Sequence, residues 1–251
     1  MIVISGGDLS QINPRMLSEL EWKIVRSKQN SPVVYRYDSL DALLFELKLR
    51  TQIVEAAKAM YGSGVGFAVF SRSRCNEQYW TRTNNGGFLL KPNVPPSVGV
   101  RDIFINGNKY AFECAGAIII MLYKAVLETI GDEAFNYYFQ NLYLRDWQHD
   151  NDLRLVSSYD NRNIYPGDVV YFKNPDVNPA YMEWQGENAI MLDTNLFFGH
   201  GVGIATGNEI IAALNRARRP GSTVSAYLDN LVIRPDFEAI RYLSSTVGQY
   251  G

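Results

Sequence analysis

Cysteine and histidine are scarce in this chain of 251 residues: it has two of each, Cys75 and Cys114, His149 and His200. They do not fall at zinc-ligand spacing, and Asp150-Asn151-Asp152 lacks the glycine and distal glutamate of a calcium loop, so no metal is expected. Two thiols are too few for a disulfide framework, although a Cys75 to Cys114 bridge is left open by sequence. The start, Met1-Ile2-Val3-Ile4-Ser5-Gly6-Gly7-Asp8, has neither the basic nor the apolar region of a secretory signal, which points to a protein that stays in the cell that makes it. The longest apolar run, Ala115 to Tyr123, falls far short of the ~20 residues of a membrane span and ends at Lys124. A net charge of -2 with no extended basic run gives no electrostatic case for nucleic acid. Arg216, Arg218 and Arg219 read as a solvated helix end. Gly62-Ser63-Gly64-Val65-Gly66 ends a helix and precedes a strand, the reverse of the order that cradles phosphate, so no nucleotide cofactor is expected either. Repeats, low-complexity tracts and long linkers are also missing, which argues for a single domain over 1–251.

What is present is an α+β pattern. Ser39 is placed as the N-cap of a long helix carrying Leu44, Leu47, Thr51, Val54, Ala57 and Tyr61 on one stripe until Gly62. A second helix begins near Cys114 and is apolar nearly all round to Gly131, which predicts a central position, and Asp132 is expected to cap a short third helix. After residue 140 the pattern changes to short β-type runs at Leu153 to Val156, Asp168 to Phe172, Asn188 to Leu192 and Leu196 to Phe198. A helix over Asn208 to Ala217 and a strand around Tyr227 to Ile233 follow. The expectation is a central helix with a cysteine at its start, packed on a mainly antiparallel sheet.

Cys114 supports two readings by itself. At a helix start, the unpaired N–H groups favour thiolate over thiol, which suits a nucleophile; buried cysteine is equally a packing residue. Cys75, in Ser71-Arg72-Ser73-Arg74-Cys75-Asn76-Glu77, is expected to be exposed and non-catalytic. A nucleophilic thiol needs a base brought from elsewhere in the fold. His149 lies in a charged turn and reads as solvated. His200, in Phe197-Phe198-Gly199-His200-Gly201-Val202-Gly203, sits among glycines that suggest tight turning or close backbone approach. Glu187 stands at the mouth of an apolar strand, either as a solvated strand end or as a carboxylate whose pKa burial has raised. Only the second could exchange protons with a thiol. Glu113 is a further carboxylate beside the thiol.

The run Tyr110-Ala111-Phe112-Glu113-Cys114-Ala115 resembles the transglutaminase that spore-forming Bacillus-type bacteria make for the spore coat. So do Phe45-Glu46-Leu47-Lys48-Leu49-Arg50, Arg101-Asp102-Ile103, Tyr171-Phe172-Lys173-Asn174-Pro175, Gly186-Glu187-Asn188 and Gly199-His200-Gly201-Val202-Gly203-Ile204. The resemblance implies a calcium-independent protein-glutamine γ-glutamyltransferase on a core similar to papain-like cysteine peptidases. It implies Cys114 as nucleophile, Glu187 as main acid/base and Glu113 as second glutamate. The partners implied are proteins supplying glutamine and lysine, those of the spore coat, with synthesis in the mother-cell cytoplasm. A thioester must be kept from water, which calls for apolar walls. Phe67, Trp147, Tyr171 and Trp184 are the aromatic candidates, with Asn188 and His200 as further substrate-binding candidates. Two rival readings stand beside this one: a papain-like amidase or peptidase working through Cys114 and His200, and a structural coat protein with an inert cysteine.

Overall fold

The computed structural model describes residues 1–246. Among the described residues seven α-helices run in chain order: α1 (Glu19–Asn30), α2 (Leu40–Gly62), α3 (Pro96–Ile105), α4 (Cys114–Ile130), α5 (Asp132–Tyr138), α6 (Gly207–Arg216) and α7 (Phe237–Thr246). The strands form four sheets. Two are parallel pairs, β1 (Ile2–Ile4) with β2 (Tyr35–Tyr37) and β3 (Gly66–Phe67) with β6 (Ala111–Phe112). A third joins β4 (Trp80–Arg82), β5 (Phe88–Leu90) and β7 (Tyr143–Leu144). The largest has six strands: β8 (Leu155–Tyr159), β9 (Val169–Lys173), β10 (Gly186–Asp193), β11 (Leu196–Gly199), β12 (Gly203–Thr206) and β13 (Tyr227–Pro235). All its pairings are antiparallel, in the order β12-β11-β10-β9-β13-β8.

Alternation of side chains across this sheet builds two cores. Val169, Ile190, Leu192 and Phe198 join the main core with α2 and α4. Val170, Phe172, Ala189, Met191 and Phe197 face the other way and pack with Ile210 and Leu214 of α6. The sheet is thus covered on both faces, and α4 lies inside: from Ala115 to Leu127 every residue except Lys124 is buried. Each fully buried aliphatic side chain there contributes about 1.5–3 kcal/mol of transfer free energy, which makes the start of α4 a fixed point for chemistry. Gly131 ends the helix with φ of +85°, a conformation favouring glycine.

Several expectations shift in detail. Ser39 does cap α2, its side chain accepting from the Ala42 N–H, but the buried residues of α2 are not one stripe. Leu43, Leu49, Ile53 and Met60 are buried as well as Leu47, Val54 and Ala57, whereas Tyr61 is exposed. The helix touches α1, α4, α7, β10 and β11, so apolar positions are required around most of its circumference. Strand β8 starts at Leu155 rather than Leu153, because the Leu153 N–H closes a turn onto the Asp150 carbonyl. Asp132 does not cap α5. Its carboxylate takes two hydrogen bonds from Arg101, of 2.6 and 2.7 Å, and the cap position is Gly131.

Sequence reasoning also missed a buried ionic cluster. Glu46 of α2 accepts from Lys28 of α1 and, at 2.6 Å, from Arg50 Nε; Arg50 also donates to Asp168 at 2.8 Å. Arg234 of β13 adds a contact to Asp168 at 3.2 Å. Burial alone would raise the Glu46 carboxyl, but Lys28 and Arg50 outweigh it and hold it at about 2. The cluster ties α1, α2, the approach to β9 and β13 together behind the main core.

Candidate active site

The residue before α4 decides what its amino terminus does. Glu113 occupies the N-cap, and its carboxylate accepts from the N–H groups of Ala115 and Gly116, both at 2.6 Å. A side chain at position 116 would crowd that carboxylate, since a Cβ there would lie 2.7 Å from Glu113 Oε1. The donors expected to stabilise a Cys114 thiolate are therefore engaged by the adjacent carboxylate. Burial, with the charges of Glu187 and Glu113 behind it, pushes the Cys114 thiol up to about 12, even though Asn188 donates to the sulfur from 3.5 Å. The low thiol pKa expected of a helix start is not found, and the resting cysteine is a neutral thiol.

Glu187 and Asn188 are adjacent on β10, so alternation separates their directions. Asn188 reaches Cys114. Glu187 is buried at the strand entrance beneath the turn from Gly199 to Val202, where its Oε1 accepts from the Gly201 N–H at 2.9 Å. The glycines around His200 now have a reason. A Cβ at Gly199 would lie 2.7 Å from Glu187 Cγ, and one at Gly201 2.9 Å from Glu187 Oε2. Burial raises the Glu187 carboxyl to about 7, with Glu113 adding to the shift against the Gly201 hydrogen bond. Glu113 is raised too, by burial first, against the two helix N–H groups.

Cys114 is half-buried and opens onto a cavity of about 780 Å³. Of the sequence-predicted residues, Glu113, Phe67, Trp147, Tyr171 and Asn188 share its wall. Glu187 is not part of that wall. Trp184 packs instead against the core under α6, its carbonyl accepting from Asn174, so only its neighbours Glu183 and Gln185 reach the cavity. His200 is not in the wall either. Its ring stacks on Phe112 with centroids 5.2 Å apart, near Phe67 at 6.0 Å, and its Nε2 stands 3.2 Å from the Gly66 carbonyl oxygen. A carbonyl only accepts, so that nitrogen carries a proton. Burial lowers the His200 pKa and keeps the ring neutral.

Sequence reasoning missed Asp146, Met182, Glu183, Leu231 and Ile233 in the wall. Alternation in β13 gave a signal for the last two; nothing in the turn Arg145-Asp146-Trp147-Gln148 signalled the first. Cys75 is half-buried rather than exposed and packs against the main core, and burial raises its thiol to about 11. Both cysteines are free. His149 is exposed, as expected of a charged turn. Among the described residues, no group of three or more His, Cys, Asp or Glu side chains could hold a metal ion, and no helix is long and apolar enough to cross a membrane.

A thiol at the start of a buried helix, beside two raised carboxyls and an apolar cavity, can be compared with known proteins. The family model for protein-glutamine gamma-glutamyltransferase matches residues 1–244. The chain belongs to that family. A protein-glutamine gamma-glutamyltransferase of Bacillus cereus is 44% identical over 99% of this chain and 91% of its own length. One from Bacillus anthracis is 44% identical over 98% and 90%. Among solved structures, a transglutaminase from Geobacillus stearothermophilus without its C-terminal extension matches with a TM-score of 0.77 at 50% identity, covering 82% of this chain and 97% of that one. The α+β fold and the transglutaminase family membership expected from sequence are both upheld.

Proposed function

We propose that the chain cross-links proteins by joining glutamine to lysine through a thioester on Cys114, without calcium, and that its substrates are spore coat proteins. The observation that carries the chemistry is the buried Glu187 carboxyl at about 7, whose charge acts on the cavity-facing thiol. A base of that strength is ionised in half its copies near neutrality and is matched to proton exchange at that pH. The coat assignment rests on the resemblance of the sequence segments.

Burial and the nearby carboxylate charges hold the resting sulfur as a neutral thiol, so no thiolate is formed in advance of attack. The proton accordingly leaves sulfur as the carbon–sulfur bond forms. Sulfur attacks the γ-carboxamide carbon while Glu187 takes the thiol proton. Protonated Glu187 then passes it to the departing nitrogen, the C–N bond breaks, and ammonia leaves a thioester. An alkylamine that has shed its extra proton to solvent attacks the thioester carbon, and Glu187 removes a proton from its nitrogen. The C–S bond breaks, and Glu187 returns that proton to sulfur. Glu113, fixed at the helix start, shares the proton traffic, and Asn188 orients the sulfur. Phe67, Val69, Trp147 and Met182 provide the apolar wall that disfavours water as acceptor.

The test is incorporation of a fluorescent primary amine into a glutamine-rich protein in the presence of chelator, for the wild type and Cys114→Ala. Incorporation by the wild type alone is expected. None by the wild type would sink the proposal, and chelator sensitivity would remove the calcium-free part of it. A cysteine–histidine hydrolase would lose activity in His200→Ala and keep it in Glu187→Gln; the geometry of His200 favours the opposite order.

A further inference from the structure

The cavity wall is unusual in its charges. Among the described residues that line it are three carboxylates, Glu113, Asp146 and Glu183, and no lysine, arginine or histidine. The nearest guanidinium in sequence, that of Arg145, is not itself in the wall: it lies 4.4 Å over the ring of Phe70, a wall residue, and its Nε donates to the Asn85 carbonyl. Glu113 is committed to the helix start, whereas Asp146 and Glu183 are exposed. Asp146 and Glu183 are therefore the exposed negative charges that an acceptor entering this cavity toward Cys114 meets. Asp146 is held in place by its backbone. It sits in a two-residue turn closed by the Gln148 N–H on the Arg145 carbonyl at 3.0 Å, with φ of +54°.

We propose that Asp146, assisted by Glu183, is a specificity residue for the acyl acceptor, selecting lysines in basic surroundings over lysines flanked by acidic groups. This rests on the transglutaminase reading above. An amine bearing a remote cation meets attraction at the rim, and one bearing a remote carboxylate meets repulsion, while the reacting nitrogen is the same in both. Each exposed carboxylate changes the preference by about two- to fivefold at low salt, and by less as salt screens it.

The experiment compares kcat/KM for cadaverine and for ε-aminocaproate with one glutamine donor, at low and high salt. The variants are Asp146→Asn, which tolerates positive φ and removes only charge, and Asp146→Gly, which suits the turn and removes the side chain. Wild type is expected to favour cadaverine, and both variants to lower the ratio by about two- to fivefold at low salt; Glu183→Gln is expected to lower it further when combined with either. An unchanged ratio in Asp146→Asn overturns the inference while leaving the transglutaminase reading intact. So does a ratio that changes in Asp146→Gly alone, since that would trace preference to turn shape. A wild type that incorporates neither amine brings down the underlying reading and this inference with it.

Discussion

Glu187 should weaken the fold in return for its chemistry, and the amount can be worked from its position. Its carboxyl holds a proton to about 7 in the folded protein, against an ordinary 4.5, because burial opposes the charge. The stabilisation from the bound proton is therefore fully present below 4.5 and is lost as pH rises through 7. Between pH 5 and pH 8 this loss amounts to about 2.5 kcal/mol. Glutamine at the same place can keep the Gly201 hydrogen bond through its carbonyl and has nothing to ionise. Glu187→Gln should thus gain about 2.5 kcal/mol on wild type over that interval, whatever constant cost its amide carries. In urea, with a slope of about 2–3 kcal/mol/M, the two midpoints should move apart by about 1 M between pH 5 and pH 8. Midpoints that stay parallel across pH would refute the reasoning, because they would mean that Glu187 ionises alike folded and unfolded.

The activity of wild type should rise as pH passes through about 7 with Glu187 ionisation, and Glu187→Gln should flatten that limb and lower kcat/KM by about 10²–10⁴, measured by amine incorporation. Free Cys114, pushed up to about 12, should react slowly with iodoacetamide at neutral pH; rapid alkylation, followed by mass spectrometry, would contradict its crowded setting. Gly201→Ala places a Cβ 2.9 Å from Glu187 Oε2 and should shift or weaken the pH profile without unfolding the chain, as circular dichroism alongside the assay would reveal. Arg50→Met leaves Glu46 and Asp168 short of a buried partner and should cost about 3–5 kcal/mol in chemical denaturation, with little change in the pH dependence of activity.

Much of the architecture was legible in the chain. Ser39 as a cap, the all-round apolar character of α4, Gly131 as its stop and the short β runs after residue 140 each follow from local rules, and the structure keeps them within a few residues. The glycines around His200 signalled a close approach, but not to what. Glu46, Arg50 and Asp168 are buried because α1, α2 and β13 converge, which no local pattern states. Trp184 and Tyr171 looked equivalent as aromatic candidates, and only the packing of the segment before β10 separates them, one into the core under α6 and one into the cavity wall.

Residue type and order along the chain were sufficient to place a cysteine at the start of a central helix and to single out Glu187 as a carboxylate in an apolar setting. Proton affinities were not readable there, because they depend on what surrounds each group in space. Glu113 engages the helix N–H groups that sequence would assign to the thiol. The turn at Gly199 and Gly201 closes over Glu187 and removes its water, which carries its carboxyl to about 7. His200, the default partner for a thiol, is committed to Phe112 and the Gly66 carbonyl. Desolvation and charge act through distances between segments remote in the chain, so the proton affinities on which the proposed choice of base rests are set by tertiary structure.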